Sequence, residues 1–308
     1  MTVLRIVFAG SPAVAVPSLH ALAASGHDIV GVVTRHDSPQ GRKRVITPTP
    51  VAEAADELGL PVVRANRLDA EASNTIMALE PDLGVIVAYG GLVREPLLSA
   101  PKHGWINLHF SLLPRWRGAA PVQRSIIAGD DVTGAAVFQL VPELDAGDVY
   151  DSIERRVGIH ETAGRVLDDL SRSGAEMLAR TVDAIADGTA VAVPQQGEPS
   201  FAPKLTLEDA RIDWSLPALA LHNLIRGVTP EPGAFTMIEG GRVKVLAAAI
   251  AHGVAPLVGG ELRVIGGAVL AGTATEPIEL IEVQPSGKRP MAASDWWRGL
   301  GVDHVVAQ

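Results

Sequence analysis

A chain of 308 residues, 47% of them apolar and few aromatic, is long enough for two domains and a substantial core. Its formal net charge of -9 opposes nucleic-acid binding over the surface as a whole, so a polyanionic partner would need a local basic patch. Cysteine is absent, which excludes disulfides and thiolate metal sites, and the nine histidines contain no pair at metal-ligand spacing, so no metal is expected.

From the N-terminus, "LRIVFAG" (4–10) reads as a buried strand and "VAVPSLHALAASG" (14–26) as a helix stopped by Gly26. The strand pattern returns in "DIVGVVT", "LPVVRA", "LGVIVAY" and "GWINLHF", with helices predicted in "TPVAEAADELG" and "LDAEASNTIMALE" between them. This alternation predicts an α/β domain with a doubly wound, mostly parallel sheet. A helix near 119–128, strands in "TGAAVFQLV" and "DVYDSIERRV", and a long helix over 162–187 complete it. "PQQGEPSFAPKLT" (194–206) has no period and suits a connector, starting at about 190, between a catalytic domain of residues 1–205 and a second domain of residues 206–308. In the latter, a short helix in "LPALALHNLIRG" and strand-like runs such as "RVKVLAAAI" and "ELRVIGGAVLAG" predict a small β-barrel of OB-like type. No apolar run approaches the roughly 20 residues that span a bilayer, and Met1 leads into a strand without a signal-peptide pattern. A cytoplasmic location and no membrane partner are expected.

Polar chemistry concentrates in "INLHFSLLPRWRGAAP" (106–121). On a strand, Asn107 and His109 share one face, and the carboxyl end of a parallel strand is where open α/β sheets place their ligands. An imidazole exchanges protons near neutral pH, and an amide N–H stabilises an oxygen that turns negative when a carbonyl is attacked. The pair therefore points to acyl transfer without a metal. An orienting carboxylate is expected in "PELDAGD", where Glu143, Asp145 and Asp148 compete on spacing alone.

The stretches "FAGSPAVAVPSL", "NLHFSLLPRWRGAAPVQRSI", "ELDAGD", "ARIDW" and "QPSGKRPM", spread over the chain, resemble bacterial methionyl-tRNA formyltransferases. The resemblance implies a formyltransferase-type Rossmann-like fold and transfer of the formyl group of 10-formyltetrahydrofolate to the α-amine of methionyl initiator tRNA. It implies a catalytic trio of Asn107, His109 and Asp145, and a folate site bordered by Ser111, Leu112, Leu113 and Pro114, with the "VAYGGL" loop and its Leu92 opposite. No stable protein partner is implied. Three segments depart from the family pattern: Phe110 replaces the usual Gly, "GGLVREP" a more apolar turn, and "TPEPG" an "NPWPG"-like string.

The segment "RHDSPQGRKRVITPTP" (35–50) gathers Arg35, Arg42, Lys43 and Arg44 between a strand and a helix, where about 2 to 6 residues would suffice. It resembles the tRNA-probing insertion of the same enzymes, so Arg42, Lys43 and Arg44 are expected at the tRNA. Arg242, Lys244, Lys288 and Arg289 are the corresponding expectation for the second domain. A formyltransferase acting on glycinamide ribonucleotide or an amino sugar nucleotide would share Asn107, His109 and "SLLP", but would leave the basic loop and β-module unused. A dinucleotide-binding module is disfavoured, because "GSPAVAVP" is not G-x-G-x-x-G.

Overall fold

A computed structural model describes residues 2–41 and 44–308 of the chain, which divide into two compact units. The first comprises Met1–Pro121, Thr133–Arg155 and Leu167–Ala202; the second comprises Val122–Val132, Arg156–Val166 and Pro203–Gln308. The units thus interleave along the sequence, and the last passage from one to the other falls between Ala202 and Pro203. Among the described residues, no helix is long and apolar enough to cross a membrane.

The opening half of the chain alternates strands and helices in the order β1 (Arg5–Gly10), α1 (Val16–Ala23), β2 (Asp28–Thr34), β3 (Ser38–Gln40), β4 (Val45–Thr47) and α2 (Pro50–Glu57). Next come β5 (Val62–Arg64), α3 (Ala70–Met77), β6 (Leu83–Val87), β7 (Trp105–His109), β8 (Arg117–Gly118), α4 (Pro121–Ala128), β9 (Val132–Gln139), β10 (Val149–Arg156), α5 (Ala163–Ala186) and β11 (Phe201–Ala202). Seven strands form one sheet in the order β10-β9-β7-β6-β1-β2-β5. Its pairs from β7 through β6, β1 and β2 to β5 are parallel, whereas β9 runs antiparallel to β7, as a mostly parallel sheet requires. β6 is buried at every residue and reads as an unbroken run without a charged or polar side chain, as a strand covered on both faces does. Val7 and Ala9 of β1 enter one core with Val33, Ile86, Tyr89 and Trp105. Thr49 and Asp69 cap α2 and α3 by accepting from the backbone N–H three residues on, which explains why both starts were legible.

The β6–β7 pairing depends on one absent side chain. Gly84 lies in register with Trp105, and a Cβ at 84 would sit 2.1 Å from the indole ring, whose Nε1 donates to the Leu97 carbonyl. Gly84→Ala is expected to lower unfolding stability by about 1–3 kcal/mol, read as a drop in the denaturant midpoint at unchanged slope, because the ring cannot yield without losing that bond. An unshifted midpoint would mean that the indole repacks freely.

In the second unit, α6 (Ala218–Gly227) packs with β12 (Phe235–Ile238), β13 (Gly241–Ile250), β14 (Glu261–Ile265), β15 (Ala268–Ala271), β16 (Ile278–Pro285), β17 (Met291–Ala292), α7 (Ala293–Leu300) and β18 (His304–Val306). The sheet order is β12-β13-β16-β15-β14-β18, with β17 on β16, and the pairs are antiparallel. Met237 and Gln308 exchange both main-chain hydrogen bonds, at 2.9 Å each, bringing the first strand and the chain end together. Trp214, Leu221, Ile225, Val245, Leu280 and Trp296 share its core.

Candidate active site

His109 ends β7 and is buried, Asn107 two residues earlier is half-buried, and Ile106 and Leu108 fill the opposite side of the strand. The imidazole stands edge-on to Phe138 of the neighbouring strand, with 6.3 Å between ring centroids. Its Nε2 lies 2.9 Å from the Trp116 carbonyl, which can only accept, so Nε2 carries the proton and the neutral ring presents Nδ1 as the basic atom. Nδ1 is 3.9 Å from Asp145 Oδ2. Burial pushes the His109 pKa below its ordinary value, opposed by the Asp145 charge and the Trp116 carbonyl. The resting imidazole is therefore neutral at pH 7.

Of the three candidate carboxylates, Asp145 is buried, while Glu143 and Asp148 are exposed. The Asp145 backbone takes a left-handed turn at φ 48°, and its Oδ2 accepts from the Gly118 N–H at 2.7 Å. The glycine of "LDAGD" is a packing requirement: a Cβ at Gly147 would lie 1.7 Å from the Gln139 carbonyl oxygen. Asp145 is thus anchored by main chain and faces the imidazole across a gap too long for a direct hydrogen bond. Sequence reasoning expected a carboxylate to orient the ring; the ring is instead oriented by the carbonyl of Trp116, whose φ of 63° is unusual for a bulky residue.

The presumed connector is part of this construction. Phe201 and Ala202 pair in parallel with Arg117 and Gly118, the Trp116 N–H donates to Ser200 Oγ at 2.9 Å, and the Arg117 N–H donates to the Ser200 carbonyl at 2.8 Å. Gln195 Nε2 donates to the carbonyls of Asp145 and Gly147, both at 2.8 Å, and its Oε1 accepts from Arg117. Sequence reasoning missed Gln195 and Ser200, because hydrogen bonds from an aperiodic Pro- and Gly-rich stretch leave no pattern.

Around this pair, Ser111 is buried and its Oγ donates to the Arg115 carbonyl at 2.7 Å, while Leu112 and Leu113 are half-buried and Pro114 is buried, all following β7. Leu92 is 65% exposed on the loop after β6, the neighbour of β7, so both segments leave the same edge of the sheet. Arg35 stiffens that loop by donating to the carbonyls of Tyr89 and Gly90 at 3.2 and 2.8 Å. Arg35 is thereby committed to the loop and withdrawn from the basic segment.

Of that segment, Arg42 and Lys43 lie outside the described residues; Arg44 is exposed beside the two-stranded hairpin of β3 and β4, where a loop was expected. In the second unit, Lys244 Nζ donates to the Pro232 carbonyl at 2.7 Å, whereas Lys288 and Arg289 are exposed in the turn after β16. Val243 pairs with Pro285 and Lys244 with Gln284, and the Ser286 N–H donates to the Arg242 carbonyl, so these cations converge at one end of the β13–β16 ladder.

The site thus consists of a mostly parallel sheet whose Asn-x-His strand end faces a main-chain-held aspartate. Residues 4–182 match the family described as "Formyl transferase", and residues 204–301 match its C-terminal domain. The chain is 60% identical over 305 residues to the methionyl-tRNA formyltransferase of Clavibacter sepedonicus, covering 99% of this chain and 100% of that one. It is 50% identical to that of Thermobifida fusca, covering 97% of each. This chain belongs to the methionyl-tRNA formyltransferase family. Among solved structures, an N-formyltransferase from Helicobacter canadensis, in complex with folinic acid and dTDP-3-aminofucose, superposes with a TM-score of 0.70 at 16% identity, over 90% of this chain and 98% of that one. HypX from Aquifex aeolicus superposes with a TM-score of 0.68 at 15% identity over 97% of this chain, which spans 48% of HypX. At such identities these two likenesses speak for the fold alone.

Proposed function

We propose that the chain transfers the formyl group of 10-formyltetrahydrofolate to the α-amine of methionyl initiator tRNA, in the cytoplasm, with no stable protein partner. The single observation that carries the choice of substrate is the 60% identity, along 99% of the chain, to a methionyl-tRNA formyltransferase. Residues 1–205 would serve as the catalytic domain, and residues 206–308 would hold the tRNA. The folate donor is supported by membership of the formyl transferase family; HypX from Aquifex aeolicus, which shares the fold, has been solved with tetrahydrofolic acid.

The donor supplies the formyl carbon and departs as tetrahydrofolate. Asn107 donates its amide N–H to the formyl oxygen as the methionyl amine attacks and the carbonyl electron pair moves onto that oxygen. His109 Nδ1 receives the proton lost by the amine, and Asp145, 3.9 Å away, stabilises the imidazolium so formed. The same pair returns the proton to the folate nitrogen as its bond to the formyl carbon breaks. Ser111 to Pro114 and the exposed Leu92 offer a mainly apolar rim of the kind a flat heteroaromatic ring requires.

Formyl transfer to charged initiator tRNA, assayed beside glycinamide ribonucleotide and an amino sugar nucleotide, tests this reading. Transfer to tRNA alone is expected; a preference for either small amine would overturn it. Replacing Arg42, Lys43 and Arg44 together by Ala should lower kcat/KM on tRNA and flatten its salt dependence by roughly one unit of log–log slope per lost phosphate contact, with folate affinity unchanged. An unaltered slope would remove the loop from the tRNA interface.

A further inference from the structure

We propose that Gln195 is a positioning residue for formyl transfer, a latch that sets the spacing of His109 and Asp145 without touching either substrate. This inference rests on the catalytic reading of those two residues. Gln195 spends its whole hydrogen-bonding capacity on two segments. Its Nε2 donates to the carbonyls of Asp145 and Gly147, both at 2.8 Å, and its Oε1 accepts from Arg117 Nε at 3.2 Å and Nη2 at 2.6 Å. Reversing the amide would aim its oxygen at two carbonyls and its NH2 group at a guanidinium, so the partners dictate one orientation.

The two segments joined in this way carry the contacts that orient the catalytic pair. Residues 116–118 supply the carbonyl that holds His109 Nε2 and the Gly118 N–H that holds Asp145 Oδ2. The β9–β10 loop supplies Asp145 itself, in a left-handed backbone conformation that its own sequence does not enforce. The 3.9 Å between Nδ1 and Oδ2 therefore depends on how the β9–β10 loop rests against residues 116–118, and Gln195 bonds to both segments beside the direct bond from the Gly118 N–H to Asp145 Oδ2. Ser200 supports the same construction from one side only, through the N–H groups of Trp116 and Arg117. A shift of about 1 Å in a reacting group can cost on the order of 10²-fold in rate, so freeing the loop should be felt in the chemical step.

The test measures steady-state formyl transfer from 10-formyltetrahydrofolate to methionyl initiator tRNA, in the parent protein and in an Asp145→Asn background. Gln195→Ala should lower kcat by roughly 10- to 100-fold in the parent, with KM for tRNA within about twofold. In the Asp145→Asn background the same change should cost less than about threefold, since the carboxylate it positions is gone. An equal loss in both backgrounds, or an unchanged kcat in the parent, would overturn the proposal. Gln195→Glu guards against a folding defect: it keeps the length and the acceptors for Arg117 but presents oxygen to both loop carbonyls, so it should reproduce the loss, and normal kcat there would also overturn the role. Failure of both variants to fold would make Gln195 a residue of the fold instead. Normal turnover in Asp145→Asn alone would sink the catalytic reading and the latch with it, whereas failure of the Gln195 arms alone leaves that reading standing.

Discussion

Replacing His109 or Asp145 by alanine is expected to lower kcat by on the order of 10² or more, with KM for either substrate little changed and the fold retained. The size follows from when each group acts. The resting imidazole is neutral, and its proton on Nε2 is committed to the Trp116 carbonyl, so its value lies in what Nδ1 does as charge develops. Asp145 contributes most once that ring is protonated, because a carboxylate 3.9 Å from a buried cation is poorly screened. The pH profile carries the same signature. Since the folded-state pKa of His109 lies below the ordinary 6.5, kcat should hold steady down to that value and fall only as the pH drops through the lower folded-state pKa. The same shift contributes stability that is present above 6.5 and is lost as the pH falls from there towards the folded value, because the unfolded chain then binds the extra proton. In Asp145→Ala the acid limb should move to still lower pH, the charge that raises the imidazole pKa having been removed. Turnover close to that of the parent in either alanine variant would take that residue out of the mechanism.

The second large effect is expected at Asn107. Loss of one oxyanion donor typically costs about 3 kcal/mol of transition-state stabilisation, so Asn107→Ala should lower kcat by on the order of 10². Asn107 is half-buried on the same side of β7 as His109, one strand repeat away, so the two groups can meet one substrate carbonyl together. Asn107→Asp is the sharper variant. It has nearly the same shape, but it replaces an N–H donor with a negative charge beside a developing oxyanion, and it should be at least as slow as the alanine variant. A change confined to KM in both variants would make Asn107 a binding residue instead.

Much of the fold was legible because its signals are local. β7 was read from the apolar run "GWINLHF", and α2 and α3 as the helical stretches between the strand runs; in the structure Thr49 and Asp69 cap them. α7 went unread: its N-cap is Ala292 with no side-chain capping bond, so "ASDWWRGL" announces no start, and the helix is fixed by burial of Trp296 and Trp297. The basic residues divide in a similar way. Charge alone marked Lys244 as a phosphate ligand, yet its ammonium is engaged by the Pro232 carbonyl, whereas Lys288 and Arg289 remain exposed.

By itself the sequence determined the alternating strands and helices, the Asn-x-His at a strand end, and the loop in which a carboxylate had to be sought, since each depends on residues within a few positions of one another. Only the tertiary structure decided that Asp145 rather than Glu143 or Asp148 faces the imidazole, that the Trp116 carbonyl orients that ring, and that Gln195, 50 residues beyond Asp145, ties the loop down. Those are contacts between segments remote along the chain. They arise from the closure of one loop upon another, and no periodicity or propensity in the intervening residues encodes the distance at which the segments come to rest.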